Sequence, residues 1–484
     1  MGIHWLDIVI FLIFTFGTVL FGMSFIGKNK DVSDYTKGGG NMPGFVVGMS
    51  IFATYVSSIS FLALPGNAYI GTWNSFVFSL SIPIASIIAA RYFVPFYRSI
   101  SSVSAYSFLE ERFGYWARAY AAICYLLTQI ARIGSVLFLL ALALHFMLGW
   151  SIASIIVVTG LAVVIYSVLG GIKAVIWTDA IQGTILIFGA LISVVILFIN
   201  LPGGFSQFIE VGKEYDKFSL GSFGTELSLP TFWVTLFYGL FINLQNYGID
   251  QNYIQRYKSA KDDKSARFSA LFGGLLYLPV SLLFFVIGTA LFVYYKAQPD
   301  LLPVHIDGDQ VFPYFIVNGL PIGVTGLLIA AIFSAGMSTV STSINSSATI
   351  ILTDFFEHGK KQIPEKKKMF ILYSLSLLLG VLGIGVGLAM MSVKSALDAW
   401  WSMAGIFSGG MLGLFLLGYL SKKAKGIPAL IGVVFGVSLI GWMSLSKQTM
   451  FHNYLTIVFG TILIFVVGFV LSFFANRHIK GEKN

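Results

Sequence analysis

Charged residues are scarce in this chain: they make up 11% of its 484 residues, whereas 57% are hydrophobic. A soluble domain typically carries about 25% charged residues, and a water-soluble fold of this length could not bury so much apolar surface. Long, nearly uncharged stretches recur along the chain, and each can cross a hydrocarbon core of about 30 Å. The sequence therefore predicts an all-α polytopic membrane protein.

Cysteine is almost absent, because Cys124 is the single one. It excludes an internal disulfide framework, and its apolar surroundings favour a small core residue. The sequence also lacks a Rossmann unit, a Walker A loop and a cluster of zinc ligands, so we expect no enzyme. The N-terminal segment "MGIHWLDIVIFLIFTFGTVLFGM" has no basic n-region and no A-x-A site, which favours a retained span over a cleaved signal peptide.

The apolar segments predict about thirteen transmembrane helices in a single transmembrane domain over residues 1–484. The predicted spans are 4–26, 43–71, 73–97, 118–149, 151–168, 174–199, 230–248, 266–295, 321–355, 369–391, 395–420, 427–446 and 451–475.

Basic residues are distributed unevenly between the two sides of these spans. With the N-terminus outside, the cytoplasmic segments hold 23 Lys and Arg residues, Arg256 among them, and the outside segments hold five. Cytoplasmic loops carry an excess of Lys and Arg, so we expect an outside N-terminus and a cytoplasmic C-terminus. The net charge of +9 is then a topology signal, and we expect no nucleic-acid partner.

Two apolar segments are interrupted by polar residues: "FATYVSSISF" (52–61) and "FINLQNYGIDQ" (241–251). They lie in the second and seventh spans, five spans apart. Interrupted helices in corresponding positions indicate an inverted-repeat transporter with its binding site near the bilayer midplane. The sequence then divides into a leading helix (4–26), a first repeat (43–199), a second repeat (230–420) and two trailing helices (427–475).

A ladder of hydroxyl groups follows an apolar run in the ninth span, where nine of the eighteen residues of "FSAGMSTVSTSINSSATI" (333–350) are Ser or Thr. Ser338, Ser341 and Thr342 are spaced three and four residues apart, so they share one helix face. Neutral oxygen ligands suit a hard cation such as sodium. The alternative is that these hydroxyls only join packed helices.

Two charges lie deep within predicted spans. Asp179 is about six residues into its span, or roughly 9 Å deep, and a carboxylate there is functional by default, although it could also cap or pair near the cytoplasmic face. Arg132 lies mid-span in "LLTQIARIGSVLF", and its planar fork matches a carboxylate. Its partner is either Asp179, the only other clearly deep charge, or the carboxylate of a substrate. Polar groups of Ser57, Ser60, Gln129 and Asn243 could bond a polyhydroxylated ring or only pack helices.

Four motifs occur in an order that resembles the sodium:solute symporter family: "SAYSFLEERFGYWAR" (104–118), "GGIKAVIWTDAIQG" (170–183), "DQNYIQRYKSAKDDKSAR" (250–267) and "GLLIAAIFSAGMSTVSTSINSSAT" (326–349). The resemblance covers nearly the whole chain. The segment "FATYVSSISF", Arg132 and the thirteen spans are most similar to the bacterial sodium:sialic acid branch. The resemblance implies a LeuT-like fold with a 5+5 inverted repeat.

The resemblance also implies specific site residues. The first sodium ion would bind carbonyl groups of Ala53, Val56 and Ala335 and hydroxyls of Ser338 and Thr339. The second would bind Asp179, Ser338, Ser341 and Thr342, and Arg132 would bind the substrate carboxylate. Tyr55 and Ser79 stand where the branch is expected to have threonine and glutamine, so the contacts to the sugar are expected to differ.

The predicted function is sodium-coupled import of a small carboxylate-bearing solute by alternating access. The resemblance favours sialic acid (N-acetylneuraminate) as this solute, with two sodium ions per substrate. The alternatives are a sodium symporter for a neutral or zwitterionic solute, such as a sugar or a proline-like amino acid, and a transporter-like sensor. We expect a monomer in the lipid bilayer.

Overall fold

The structure is a computed structural model that describes residues 4–25, 36–57, 59–359, 363–393, 395–446 and 450–481. Seven lysines of the topology count lie outside the described residues: Lys28, Lys30, Lys360, Lys361, Lys394, Lys447 and Lys483. Residue 26, the end of the predicted leading span, also lies outside them.

Eighteen α-helices make up the described part of the chain. The first nine are α1 (Trp5–Met23), α2 (Gly44–Tyr55), α3 (Leu64–Ile70), α4 (Phe76–Ile88), α5 (Val94–Ser99), α6 (Ser107–Phe113), α7 (Tyr115–Leu148), α8 (Ile152–Asn200) and α9 (Gly204–Glu214). The other nine are α10 (Phe232–Ile249), α11 (Gln251–Ser259), α12 (Asp263–Ala297), α13 (Gly308–Asn318), α14 (Val324–Ile351), α15 (Glu365–Ala389), α16 (Ala396–Leu420), α17 (Gly426–Leu445) and α18 (Leu455–Gly481).

Ten helices in the described part of the chain are long and apolar enough to cross a membrane, or up to eleven if the bent pair α2–α3 counts as one span. The other two predicted spans correspond to the apolar helix Ile152–Val164 and to α10. Gly171, with φ 62°, interrupts α8 between two of the predicted spans, while amide side chains lower the hydropathy of α10. The predicted count of thirteen stays a prediction.

The chain breaks its helices at both interruptions that the sequence predicts. Helix α2 ends at Tyr55, Val56 is extended, and the pair α2–α3 is bent by 59°. Helix α10 ends at Ile249, and the extended residue Asp250 caps α11 by accepting a hydrogen bond from the backbone N–H of Asn252. Both breaks leave backbone groups outside regular helices, as at the ion and substrate sites of transporters.

Close backbone contacts hold the first broken helix in the bundle. Helix α2 packs against α8 and α12, and α14 packs against α7 and α8. A Cβ atom built on Gly288 of α12 would lie 2.2 Å from the carbonyl oxygen of Pro65 in α3. Glycine is required there because any side chain would push the two helices apart.

The leading helix fixes the start of the hydroxyl-bearing helix α14. Asp7 of α1 is buried, and its Oδ1 accepts hydrogen bonds from the backbone N–H groups of Gly323 (2.7 Å) and Gly326 (2.9 Å). A carboxylate satisfies N–H groups that a helix N-terminus leaves unpaired and interacts favourably with the helix dipole. Every residue of α14 from Leu328 to Ile350 is buried.

Candidate functional site

A cavity of about 800 Å³ lies beside the two helix breaks. Its walls come from the α2–α3 break, α7, the α10–α11 break and α16. Of the seven predicted substrate-binding residues, six line it: Tyr55, Ser57, Ser60, Ser79, Gln129 and Arg132. The tertiary fold therefore gathers residues that are up to 77 positions apart in the sequence.

Arg132 lines this cavity from the middle of α7. Its Nη2 donates a hydrogen bond to the backbone carbonyl of Thr54, one of the last carbonyl groups of α2. The guanidinium therefore caps the first broken helix at its C-terminal end, where a cation is favourable. It does not pair with Asp179, whose ionic partner is Arg256. Of the two partners that the sequence left open for Arg132, the protein carboxylate is thus engaged elsewhere.

Asp250 is a site residue that the sequence reasoning missed. It is buried, lines the same cavity as Arg132, and receives hydrogen bonds from the backbone N–H of Asn252 (2.8 Å) and from Nε2 of Gln129 (3.4 Å). Its position at the end of "FINLQNYGID" carried the signal, because an aspartate before a new helix is a preferred N-cap. The cavity therefore holds one cation and one carboxylate.

Asp179 forms a fully buried ion pair with Arg256, with 2.7 Å between Oδ2 and Nη2. Ser50 of α2 donates to the same Oδ2 at 2.6 Å and accepts from Nε of Arg256 at 2.8 Å. The sequence analysis was wrong on two points here. Arg256, counted with the cytoplasmic cations, is completely buried, and Asp179 is not the only deep charge besides Arg132, because Asp250 and Arg256 are buried too.

The residues predicted for the second sodium ion lie around Asp179 and its partner Arg256. Ser338 donates a hydrogen bond to Oδ1, and Ser341 donates to the carbonyl of Ser338 at 3.0 Å. Thr342 accepts a hydrogen bond of 3.3 Å from Nη2 of Arg256. The four predicted ligands thus form one buried polar cluster that shares its carboxylate with an arginine.

The residues predicted for the first sodium ion belong to α2 and α14. Ala53 and Val56 lie at the end of α2, one turn beyond Ser50, while Ala335, Ser338 and Thr339 lie on α14. Thr339 donates to the carbonyl of Ala335 at 3.0 Å. Since Ser50 and Ser338 both bond Asp179, this carboxylate joins the two helices next to the predicted site.

The hydroxyl of Tyr55 is held by the amide side chains of Asn243 and Asn246, of which only Asn246 lines the cavity. This hydroxyl donates to Oδ1 of Asn243 and accepts from Nδ2 of Asn246 at 3.3 Å. Asn243, predicted to contact substrate, does not line the cavity, and its Nδ2 donates to Ser81 at 2.8 Å. The structure therefore puts Asn243 in a position to orient Tyr55.

Two of the other predicted hydroxyls, those of Ser60 and Ser79, have protein partners. Ser60 donates to the carbonyl of Tyr55 at 3.1 Å and lies 3.3 Å from the hydroxyl of Tyr277. Ser79 lies 2.7 Å from the hydroxyl of Ser281. Each hydroxyl can still accept a hydrogen bond from a solute in the cavity.

Aromatic side chains cover the cavity on the side of α16, which the sequence reasoning did not identify. Phe78 and Trp401 both line it and stack with their ring centroids 4.9 Å apart. The hydroxyl of Tyr238 donates to the carbonyl of Trp401 at 3.0 Å, and its ring stacks on Tyr454 at 4.6 Å. Beyond this layer lies a polar vestibule of about 840 Å³ that includes Tyr454 and Asp398.

Comparisons with known proteins agree with this architecture. The model of the sodium:solute symporter family matches residues 35–436. The chain is 33% identical over 469 residues to the sodium/sialic acid symporter NanT of Aliivibrio fischeri, with 96% of this chain and 92% of the relative covered. It is 32% identical over 462 residues to the sodium/sialic acid symporter SiaT of Proteus mirabilis, with 94% and 92% covered.

A solved structure of a Na⁺-coupled sialic acid symporter, in a substrate-bound outward-open state, superposes with a TM-score of 0.91 at 29% identity. The superposition covers 97% of this chain and 98% of that chain. It confirms the predicted LeuT-like helical fold, and the family match confirms that the protein is a multi-pass membrane transporter rather than an enzyme. This chain belongs to the sodium:solute symporter family.

Proposed function

We propose that the protein is a sodium-coupled symporter that imports a sialic acid by alternating access, with two sodium ions per substrate. The observation that carries this proposal is Arg132, whose guanidinium lines a cavity between two broken helices. The two relatives named above are sodium/sialic acid symporters.

The charges in the cavity fit an N-acylated sugar acid. Arg132 would bind the carboxylate through its remaining donors, in the bidentate geometry that a guanidinium favours. Asp250 and Gln129 would accept and donate hydrogen bonds to the ring hydroxyls or to the N–H of the acetamido group. Trp401 and Phe78 offer aromatic faces to the apolar side of the ring.

Two sodium ions make accumulation of an anion energetically favourable. A tenfold sodium gradient is worth about 1.4 kcal/mol per ion, and each charge moved across 100 mV is worth about 2.3 kcal/mol. Two ions supply about 7.4 kcal/mol, and importing one anion costs about 2.3 kcal/mol. Roughly 5 kcal/mol remains, whereas one ion would leave only about 1.4 kcal/mol.

A cluster of unpaired polar atoms supports a cytoplasmic exit path that is closed in this state. Helix α11 packs against α8 and α14, and these three helices bury side-chain atoms without a hydrogen-bond partner among the described residues. The atoms belong to Gln182, Asn252, Gln255, Ser343, Asn345 and Ser347. Buried polar groups are normally paired, so these groups would be hydrated when the path opens. The exit would face the cytoplasm in the proposed topology, with the N-terminus outside a bacterial cytoplasmic membrane.

Asp250 supports a second candidate function. A carboxylate opposite Arg132 also fits a zwitterion, with the ammonium group on Asp250 and the carboxylate on Arg132. The protein would then be a sodium symporter for an amino acid. For either solute we propose that the monomer is the transporting unit.

Uptake by purified protein in liposomes decides between the two. We expect sodium-driven uptake of N-acetylneuraminate and little uptake of proline or of a neutral sugar. Asp250→Asn removes the charge but keeps a hydrogen-bonding group, so it should weaken sialic acid uptake less than tenfold. A sodium-driven uptake of amino acids that Asp250→Asn abolishes would contradict the sialic acid proposal and support the second one.

A further inference from the structure

A second cavity, of about 500 Å³, lies apart from the substrate cavity. It is lined by Lys37, Arg98, Ile100, Ser101 and Lys258, none of which lines the substrate cavity. Three of its five lining residues are cations. In the proposed topology it opens at the cytoplasmic face, next to the short helix α11.

The lysines are fixed by backbone carbonyls of one linker, residues 100–102 between α5 and α6. Nζ of Lys258 donates to the carbonyl of Ile100 at 2.8 Å and to that of Ser102. Nζ of Lys37 donates to the carbonyl of Ser101 at 3.2 Å. Neither lysine forms an ion pair with an acid in the described part of the chain.

Arg98 is only partly neutralised. It pairs with Asp263, and its Nη1 donates to the carbonyls of Tyr257 (2.7 Å) and Ala260 (2.9 Å). Burial and the positive charges of Lys37 and Arg98 lower the pKa of Lys258 to about 8. The local charge is therefore strongly positive, even with Asp263 present, and an anion would relieve the repulsion.

We propose that this basic pocket binds a phosphate group at the cytoplasmic face, supplied either by an anionic phospholipid or by free phosphate. Charge-assisted hydrogen bonds from lysine and arginine are the usual means of holding phosphate, and basic pockets on the cytoplasmic side of transmembrane helices bind lipid headgroups. Phe45 and Phe268, on the first turns of α2 and α12, are exposed and both contact the ring of Phe272. This apolar surface near the pocket favours the lipid as the source.

A bound phosphate would join two segments that must separate when the cytoplasmic side opens. The pocket lies between linker 100–102 and α11, and Gln251 already ties the start of α11 to the same region. Its Oε1 accepts from the N–H of Ala105 at 2.8 Å, and its Nε2 donates to the carbonyl of Val103 at 3.0 Å. A phosphate group bound in the basic pocket would therefore favour the state in which the cytoplasmic side is closed. This consequence rests on the proposed topology and transport cycle.

The binding test uses the full-length purified protein and needs no transport assay, so its outcome is independent of the proposed substrate. Native mass spectrometry and thermal unfolding are measured with phosphatidylglycerol, with phosphatidylcholine and with inorganic phosphate. We expect phosphatidylglycerol, but not phosphatidylcholine, to be retained and to raise the Tm. Stabilisation by inorganic phosphate alone would assign the pocket to the free anion. Equal effects of both lipids together with no effect of phosphate would overturn the proposal.

Substitutions locate the binding. Each cation near an anionic headgroup contributes a factor of about five in affinity, so Lys37→Gln with Lys258→Gln should weaken retention about twentyfold or more. Lys37→Gln alone removes a single long hydrogen bond and should weaken retention of the lipid about fivefold. This single variant keeps the test valid if the double variant does not fold. The matched control is Lys422→Gln with Lys425→Gln, two exposed lysines outside the pocket, which should leave retention unchanged. Equal loss in the control would contradict the assignment.

Discussion

At the scale of single residues, the buried Arg256 and the partly buried Arg132 have different partners. Arg256 pairs with Asp179, whereas Arg132 donates a hydrogen bond to the backbone carbonyl of Thr54 and lines the cavity. A buried guanidinium is costly unless it is paired. The difference assigns Arg256 to the buried cluster around Asp179 and leaves Arg132 available for the solute contact that we propose.

Arg132→Lys tests the contact to the solute. Lysine keeps the charge and can still reach a carbonyl, but it loses the bidentate geometry. Breaking a buried charge pair typically costs about 2–5 kcal/mol of binding free energy. Because lysine keeps the positive charge, we expect a cost near the lower limit of this range. The affinity for N-acetylneuraminate should therefore fall roughly thirtyfold. Calorimetry on the purified protein measures this, with sodium binding without substrate as the unchanged control. Equal binding of the acid and its methyl ester by the wild type would rule out a carboxylate contact.

Asp179→Asn tests the second sodium site. It removes the charge from the predicted ligand and also leaves Arg256 buried without a counter-ion, which typically costs about 3–5 kcal/mol. We expect a lower Tm and a Hill coefficient for sodium that falls from about two towards one. Adding Arg256→Gln should restore most of the Tm because the unpaired charge is gone, but not the second ion. If sodium cooperativity returns together with the Tm, Asp179 has a structural role only.

At the scale of the elements, the two helix breaks depend on the helices packed against them. The start of α3 is fixed by α12, whose Gly288 leaves no room for a side chain next to Pro65. The start of α14 is fixed by Asp7 of α1. The residues predicted to bind the first sodium ion lie at the end of α2, just before the first break, and on α14, so we expect small shifts of α3 or α14 to change the ligand geometry.

Gly288→Ala tests this dependence. The added methyl group would meet the carbonyl of Pro65 at 2.2 Å, and such overpacking typically costs about 1–3 kcal/mol. We expect a lower Tm and weaker sodium binding, measured as sodium-dependent thermal stabilisation. Gly385→Ala is the matched control, because a Cβ atom there meets nothing within 4 Å and alanine favours a helix. Unchanged sodium binding in Gly288→Ala would show that the break does not depend on this contact.

At the scale of the whole molecule, the orientation in the membrane decides which side each cavity faces. The excess of basic residues predicts an outside N-terminus, and Lys264 and Pro364 are exposed on the side proposed to be cytoplasmic. Arg256 is the one cation of that count that is completely buried within the described residues. Without Arg256, the predicted cytoplasmic segments still hold far more Lys and Arg residues than the outside segments.

Cysteine labelling tests the orientation in intact cells. In a Cys124→Ser background, Lys264→Cys and Pro364→Cys should react with a membrane-permeant maleimide only. Ser228→Cys, in the exposed loop between α9 and α10, should react with an impermeant reagent as well. The reverse pattern would invert the topology and place the basic pocket outside.

The sequence by itself determined the fold class and the family of this protein. Hydropathy, the two interruptions and four collinear motifs were sufficient, because the bilayer restricts the chain to helices and because a broken helix needs local polar residues. The same reasoning selected six residues that do line the cavity, since mid-span polar groups have few other uses.

Only the tertiary structure decided which charges pair. Asp179 and Arg256 are 77 residues apart in the sequence, and no local pattern predicts that they meet within a cluster that includes Ser50. The cavity position of Asp250, the indirect position of Asn243 and the layer of Trp401 and Tyr238 likewise arise from helices that are distant in sequence. Periodicity reports which face of a helix is polar, but the partner of a buried group depends on how the whole bundle packs.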